Sequence, residues 1–238
     1  MYSFPWCNLC GWPLVRLNGS IFGTRCVRCV STQIHRAVGW VIDGLSFPSG
    51  ARVYELSSRG GLFVYLRRKW PDFYFSEYFV DVPPGERKNG IPCQDVQCLQ
   101  LPDASFDLVT STEVFEHVPD DRRGFSEVYR VLKPGGYKVF SVPLSMEERT
   151  KERAVLVDGG VMHLLEPEYH SDRIRGRRTV LAYRNYGYDI LERLRDAGFS
   201  PIIREVNSGR YRIRDQFVVV ARKPLEAPCR ITHPSSPL

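Results

Sequence analysis

No stretch of this 238-residue chain approaches the roughly 18–20 consecutive apolar residues that a helix needs to cross a bilayer. The first residues, MYSFPWCNLCGW, lack the basic start and apolar run of a secretion signal, so no membrane partner and a cytoplasmic location are the expectations. No internal repeat or low-complexity tract interrupts the sequence, and a content of 43% hydrophobic and 25% charged residues is that of a globular chain rather than a disordered one. Two arginine clusters, RIRGRR (Arg173, Arg175, Arg177, Arg178) and RYRIR (Arg210, Arg212, Arg214), lack the interleaved aromatics of single-strand binders apart from Tyr211. They read either as solvated surface or as a site for phosphate, nucleotide or RNA, because arginine forks match phosphate oxygens. The net charge of +6 permits an acidic partner without demanding one.

Cysteine is where the chain is rich. Of seven, four form two C-x-x-C pairs, Cys7 with Cys10 and Cys26 with Cys29, with fifteen residues between the pairs. Each pair lets two thiolates reach one ion from a tight turn, and two such turns complete the tetrahedral sulfur shell that suits Zn2+. Two disulfides or free thiols are the competing reading, disfavoured in a cytosolic chain. With all four positions filled by cysteine the ion is expected to be structural. The intervening GWPLVRLNGSIFGTR reads as a short hairpin turning at Asn18-Gly19. Cys93, Cys98 and Cys229 lack partners at ligand spacing.

Residues 31–48 carry Ile34, Val38, Val41, Ile42 and Leu45 at helical spacing, which predicts a helix linking the ribbon to the main domain, with His35 facing solvent. From about residue 51 apolar strands alternate with amphipathic helices. RVYELS, FYFSEYF, CQDVQ, FDLVTST and YKVFSVPL read as strands, GLFVYLRRKWP and DDRRGFSEVYRVL as helices. An irregular stretch follows, then the helix YDILERLRDAG and the strands FSPIIREVN and DQFVVVARK, the last entering antiparallel. This order predicts an α/β fold, a doubly wound, Rossmann-like, seven-stranded and mostly parallel sheet preceded by a small zinc ribbon. The expected organisation is a ribbon at 1–30, a linker helix at 31–48, a main domain at 49–224 with an insert at about 145–186, and a tail at 225–238. VPPGERKNGIP at 82–92 is too short and too rich in Pro and Gly for a crossover helix.

The series ELSSRGG, FSEYF, CQDVQCLQLPDASFDLVTSTEVFEHV and VLKPGGYKVFSVPL resembles the class I S-adenosylmethionine-dependent methyltransferases of the small-molecule type. The likeness runs over roughly residues 50–145, and its firmest pieces are LPDASFDLV, EHV at 116–118 and VLKPGGYKVFSVP. It implies that Glu55, ending the first strand, supports the loop at the methionine end of the cofactor. Gly60 and Gly61 are implied where backbone approaches the cofactor closely. Glu77, ending the second strand with Tyr78 beside it, would accept from both ribose hydroxyls; its spacing of twenty-two residues from Glu55 agrees with the usual dinucleotide fingerprint. Asp95 and Val96 would read the adenine, and Ser111, Thr112 and Glu113 would line the end of the fourth strand, where ligands of open α/β sheets bind. The glycine loop itself departs from the family: Ser57 and Arg59 stand in place of glycines. One implication is that the serine hydroxyl or the guanidinium contacts the cofactor carboxylate directly.

Methyl transfer is an in-line displacement in which alignment supplies much of the rate. A hydroxyl acceptor usually also needs a histidine or carboxylate to take its proton. His117 is the first candidate base by position, with a structural histidine at a helix start as the other reading. His170 and His163, in the insert that this fold commonly uses as a substrate lid, come next. His163, Glu166, Glu168, Tyr169 and His170 make the insert rich in groups that bind or deprotonate, with His163 and His170 also weighed as metal ligands. The leading reading is methylation of a small molecule or sugar-like metabolite. RNA methylation through the ribbon and arginine clusters, and a non-catalytic partner-binding protein with a degenerate cofactor loop, are the alternatives.

Overall fold

The structure is a computed structural model that describes residues 5–19, 23–172 and 176–225. Its centre is a six-stranded sheet. Parallel strands β3 (Val53–Glu55), β4 (Phe73–Phe75), β7 (Phe106–Thr112) and β8 (Leu132–Ser141) join an antiparallel pair, β15 (Ser200–Ser208) and β16 (Ile213–Arg222), in the order β15-β16-β8-β7-β3-β4. β16 runs antiparallel to both neighbours, as the hairpin-like end of the sequence predicts.

Strand alternation divides the core into two faces. Val53, Leu108, Val139, Val218 and Val220 point to one side, and Tyr54, Val109, Phe140, Val219 and Ala221 to the other. Helices α1 (Gln33–Asp43) and α2 (Gly60–Lys69) cover the first face; α3 (Asp121–Val131) and α4 (Ile190–Asp196) cover the second. Continuous apolar runs such as VVVA suit strands buried on both faces.

Three expectations need correction. The third of the seven expected strands, CQDVQ, is not in the sheet: the segment makes only single bridges, Glu77 with Cys93 and Asp95 with Cys98. Prolines 83, 84 and 92 withhold backbone donors at this edge. The chain instead folds a small hairpin, β5 (Arg87–Lys88) with β6 (Ile91–Pro92), across Asn89-Gly90, both at positive φ (51° and 80°) as a tight hairpin turn requires. The helix expected to be a linker, α1, is a layer of the sandwich, and His35 is not a free surface group. Its Nδ1 accepts from Thr32 N while Thr32 Oγ1 accepts from His35 N, closing a capping box. The stretch after β8, expected to be irregular, is mostly hairpin: β10 (Ala154–Val157) with β11 (Gly160–His163), β12 (Tyr169–Asp172) with β13 (Gly176–Leu181), and β9 (Lys151–Glu152) with β14 (Arg184–Asn185). Its alternation of apolar and polar residues is masked by clustered charge.

The cysteine hairpin, β1 (Leu14–Arg16) with β2 (Thr24–Cys26), is not an appended bead. Cys7, Leu9, Leu14 and Cys26 belong to the same buried cluster as α1, α2 and the sheet. A side chain at Gly39 of α1 would lie 2.3 Å from Leu9 Cδ2, so the helix has a notch where the hairpin docks. Arg36, fully buried, ties three parts together by donating to the carbonyls of Ser31, Tyr211 and Arg212. Residues 226–238, Arg173, Arg175, the side chains of Arg177 and Arg178, and Cys229 lie outside the described residues.

Candidate functional site

The parallel strands end on one side of the sheet, and the chemistry-bearing residues gather there. Glu55 closes β3, fully buried, with its carboxylate against Thr110 Oγ1. Burial pushes its carboxyl up to about 7, opposed by the Thr110 hydrogen bond and by Lys138. Lys138, on β8, is the buried counter-charge: burial pulls its ammonium down to about 7 against the pull of Glu55. Its Nζ donates to Ser111 Oγ at 3.1 Å and sits 4.4 Å over the Phe115 ring. Ser111 is thus turned into the core.

The loop after β3 clamps Glu77. Ser58 donates to Glu77 Oε1 through its backbone N at 2.7 Å and its Oγ at 2.8 Å. Ser57 Oγ lies 3.4 Å from the same oxygen and Arg59 forms an ion pair with it at 3.7 Å. The hydroxyls and guanidinium that replace glycines therefore point at the neighbouring acid. Gly60 and Gly61 also have close neighbours within the chain. A Cβ on Gly61 would meet Ser31 at 2.5 Å, and one on Gly60, at φ 92°, would meet the His35 ring at 3.3 Å. Both glycines seat α2 against the start of α1.

Asp95 accepts from Gln97 N at 2.8 Å and Gln97 Nε2 at 3.1 Å, an Asx turn that fixes the loop. An open cleft of about 440 Å3 lies beside it, lined by Tyr78, Phe79, Val80, Asp81, Val82, Pro83, Pro84 and Asp95. Its volume falls within the range of small-molecule sites, about 300–1,000 Å3. Val96 packs into the core beneath.

At the end of β7, Thr112 is half-buried and Glu113 takes a positive φ of 53°, its carboxylate accepting from Ser141 Oγ at 2.8 Å. The next turn holds Glu116 and His117. Glu116 is 1% exposed, and among the described residues neither carboxylate oxygen has a hydrogen-bond partner. Burial, then the nearby Glu113 charge, pushes its carboxyl well above the ordinary range. His117 Nδ1 donates to Leu181 O at 2.8 Å. His170, on β12, packs its ring edge-on to His117 at 4.8 Å between centroids, and its Nε2 donates to Glu168 Oε1 at 2.9 Å.

Arg184 holds the insert in place. Fully buried, it donates to the carbonyls of Phe115, Val118 and Pro119, and its Nε lies 3.0 Å from Glu152. Asp121 lies beneath, accepting from Tyr186 Oη and Arg193. His117 and His170 are thus brought together from 53 positions apart in sequence. His163 is not: it is exposed on the separate β10–β11 hairpin, opposite Ala154. Glu166 and Tyr169 are exposed. Sequence reasoning missed the parts played by Lys138 and Arg184. A charged residue inside an otherwise apolar strand was the available signal for Lys138.

The four cysteine sulfurs lie within 4.8 Å of one another. Sγ–Sγ separations are 3.3 Å (Cys10–Cys26), 3.5 Å (Cys10–Cys29) and 3.7 Å (Cys7–Cys29), far beyond a disulfide bond. A tetrahedral zinc with Zn–S bonds of about 2.3 Å sets sulfurs about 3.8 Å apart, so the cluster is close to ready-made.

Residues 76–140 match the family model described as a methyltransferase domain. The ubiquinone biosynthesis O-methyltransferase of Coxiella burnetii is 41% identical over 71 residues, covering 28% of this chain and 30% of that protein. The phthiotriol/phenolphthiotriol dimycocerosates methyltransferase 1 of Mycobacterium ulcerans is 28% identical over 137 residues, 54% of this chain and 51% of that protein. The chain thus matches less than two thirds of the length of these curated relatives. Among solved structures, the glycopeptide N-methyltransferase MtfA complexed with S-adenosylmethionine superposes with a TM-score of 0.52 at 20% identity, covering 82% of this chain and 95% of that one. A chain from the complex of the Haloferax volcanii Trm112 methyltransferase activator with a methyltransferase gives 0.51 at 16% identity, over 81% and 90% of the two chains. At these identities the superpositions establish the α/β fold.

Proposed function

We propose that this chain is an S-adenosylmethionine-dependent methyltransferase acting on a small molecule, with a structural Zn2+ held by Cys7, Cys10, Cys26 and Cys29. The observation that carries the enzyme reading is the placing of Glu55 and Glu77 at the carboxyl ends of the adjacent strands β3 and β4, with Asp95 on a nearby loop in the wall of an open cleft. The family match over residues 76–140 covers Glu77 and Asp95 and supports it. The relatives named for ubiquinone biosynthesis and for a mycobacterial lipid support a small organic acceptor over a macromolecule.

The bound cofactor supplies an electrophilic methyl group on sulfur. In this reading Glu77, held by Ser58, accepts from the ribose hydroxyls, and the loop before Gly60 covers the methionine end. The cleft wall around Tyr78 and Asp95 takes the adenine. Glu55 and Lys138 form the floor, a neutralised pair that fixes the strand ends without presenting net charge. The insert brings His170 against His117, and an acceptor bound beside them would have to lie in line with the methyl group; alignment of this kind is the main source of rate in such displacements.

Calorimetry with S-adenosylmethionine and S-adenosylhomocysteine tests the reading. Micromolar binding of both, lost in Glu77→Gln, is the expected result. Absence of binding at high micromolar cofactor rejects the enzyme and leaves a partner-binding protein. Metal analysis of Cys7→Ser and Cys26→Ser tests the zinc: each variant is expected to lose one tightly held equivalent.

A further inference from the structure

Glu116, His117 and His170 present a donor set without an explanation in the cofactor site. One potential ligand atom from each lies within 4.8 Å of the other two. Glu116 Oε1 is 3.6 Å from His117 Nε2 and 3.8 Å from His170 Nδ1. Both separations are slightly longer than the roughly 3.0–3.4 Å between neighbouring ligands on one ion with bonds near 2.1 Å.

The outer hydrogen bonds settle which nitrogens face inward. A backbone carbonyl only accepts, so His117 Nδ1 carries a proton toward Leu181 O and Nε2 faces Glu116. A carboxylate only accepts, so His170 Nε2 carries a proton toward Glu168 and Nδ1 faces Glu116. Each ring thus turns its second nitrogen toward one buried carboxylate, and a cation between the three would be shared by all of them. Histidines that ligate metals are held in this way, the far N–H given to a carbonyl or a carboxylate. Glu116 adds an independent observation: it is 1% exposed and neither oxygen has a hydrogen-bond partner among the described residues. Burying a carboxylate without a donor or a cation is costly.

We propose that Glu116, His117 and His170 bind a first-row divalent cation, such as Zn2+, at the end of β7, separate from the four-cysteine site. Two imidazoles and one carboxylate are donors of the borderline class these ions prefer, and three protein ligands leave coordination positions open. Glu168 acts through His170, as a positioning residue. Resting on the methyltransferase reading, the open positions would take an oxygen donor of the acceptor, a hydroxyl or carboxylate, and hold it opposite the methyl group.

The test uses the full chain, loaded with Zn2+ or Co2+ and desalted. Wild type is expected to retain two equivalents of metal. With cobalt, one equivalent gives the intense thiolate charge-transfer absorption of the four-cysteine site and the other only weaker visible bands from nitrogen and oxygen ligands. His170→Ala and Glu116→Gln are each expected to fall to one equivalent, keeping the thiolate absorption and a cooperative thermal transition. Should the buried Glu116→Gln fail to fold, His170→Ala, altering a part-exposed ring, decides alone. A wild type that holds a single equivalent, all of it thiolate-bound, overturns the proposal, as does an unchanged count of two in His170→Ala. Cofactor calorimetry on the same samples separates the two readings. Two equivalents without cofactor binding keep the metal site and reject the methyltransferase; cofactor binding with one equivalent does the reverse.

Discussion

Ser58 is the residue on which the cofactor loop turns. Its backbone N and its hydroxyl both donate to Glu77 Oε1, at 2.7 and 2.8 Å, so a loop short of glycine holds the neighbouring strand's acid. Replacing Glu77 by glutamine removes the charge from these bonds and from those proposed to the ribose. At about 1.5–3 kcal/mol for a hydrogen bond to a charged group, cofactor affinity measured by calorimetry should drop about 10- to 100-fold. Ser58→Ala keeps the backbone donor and should cost less than Glu77→Gln. Arg59→Ala breaks a part-exposed pair with Glu77 at 3.7 Å, worth at most about 1 kcal/mol, so its affinity should change less than about fivefold. A larger loss in Arg59→Ala than in Ser58→Ala would reinstate the guanidinium as a direct ligand of the cofactor.

At the scale of elements, what could be read from the chain follows how local the signal was. Helices α1, α2 and α3 lie close to where their periodicity predicts them, and the antiparallel last strand follows from two adjacent apolar runs. The missing third strand and the hairpins of the insert depend on long-range pairing that no window of residues reports. Glu116 and His170 are 54 positions apart, and nothing in either neighbourhood names the other. Their meeting depends on Arg184, whose fork caps the 115–119 turn while pairing with Glu152. Arg184→Leu leaves Asp121 and Glu152 short of a buried partner and should cost about 3–5 kcal/mol. For a chain of this size that is a fall of roughly 6–20 °C in melting temperature by calorimetry. Arg184→Lys should recover little, because an ammonium cannot reproduce the fork.

A second element-scale case carries a pH sign. Glu127 on α3 pairs with Arg130 at 2.8 Å and accepts from Leu99 N at 2.8 Å, which fastens the loop after Asp95 to the helix. Arg130 holds the Glu127 carboxyl below its ordinary value of 4.5. A depressed carboxyl binds fewer protons folded than unfolded, so its contribution is present above that ordinary value and lost as pH falls through the depressed one. Glu127→Gln should therefore be less stable than wild type at neutral pH, by about 1 kcal/mol at most for a pair this exposed. Urea denaturation at stepwise lower pH should show the two curves converging in the acid range. A constant gap would assign the difference to packing.

At the scale of the whole molecule, one buried cluster fills the helix α1 side of the sheet, and the cysteine hairpin is part of it. Cys7, Leu9, Leu14 and Cys26 pack with Val38, Ile42, Val53 and Val220. Arg36 sits among them, fully buried; burial pulls its guanidinium below the ordinary range, opposed by the nearby Cys7, Cys26 and Cys29. An ion lost from the sulfurs would leave four crowded thiols and a buried guanidinium without their mutual geometry, inside the shared cluster rather than in a detached bead. Metal binding to such a shell is coupled to folding. Stripping the proposed zinc with a thiol-compatible chelator should therefore lower a single melting transition of the entire chain, not merely release the first forty residues. Cys26→Ser should do the same without chelator, which separates this effect from any loss at Glu116, His117 and His170. Hydrogen exchange locates the damage: amides of α1 and of β16 are expected to lose protection together with the hairpin. Protection that survives in α1 and β16 while residues 5–30 exchange freely would show the hairpin to be an independent unit, and the shared core to contribute little across that boundary.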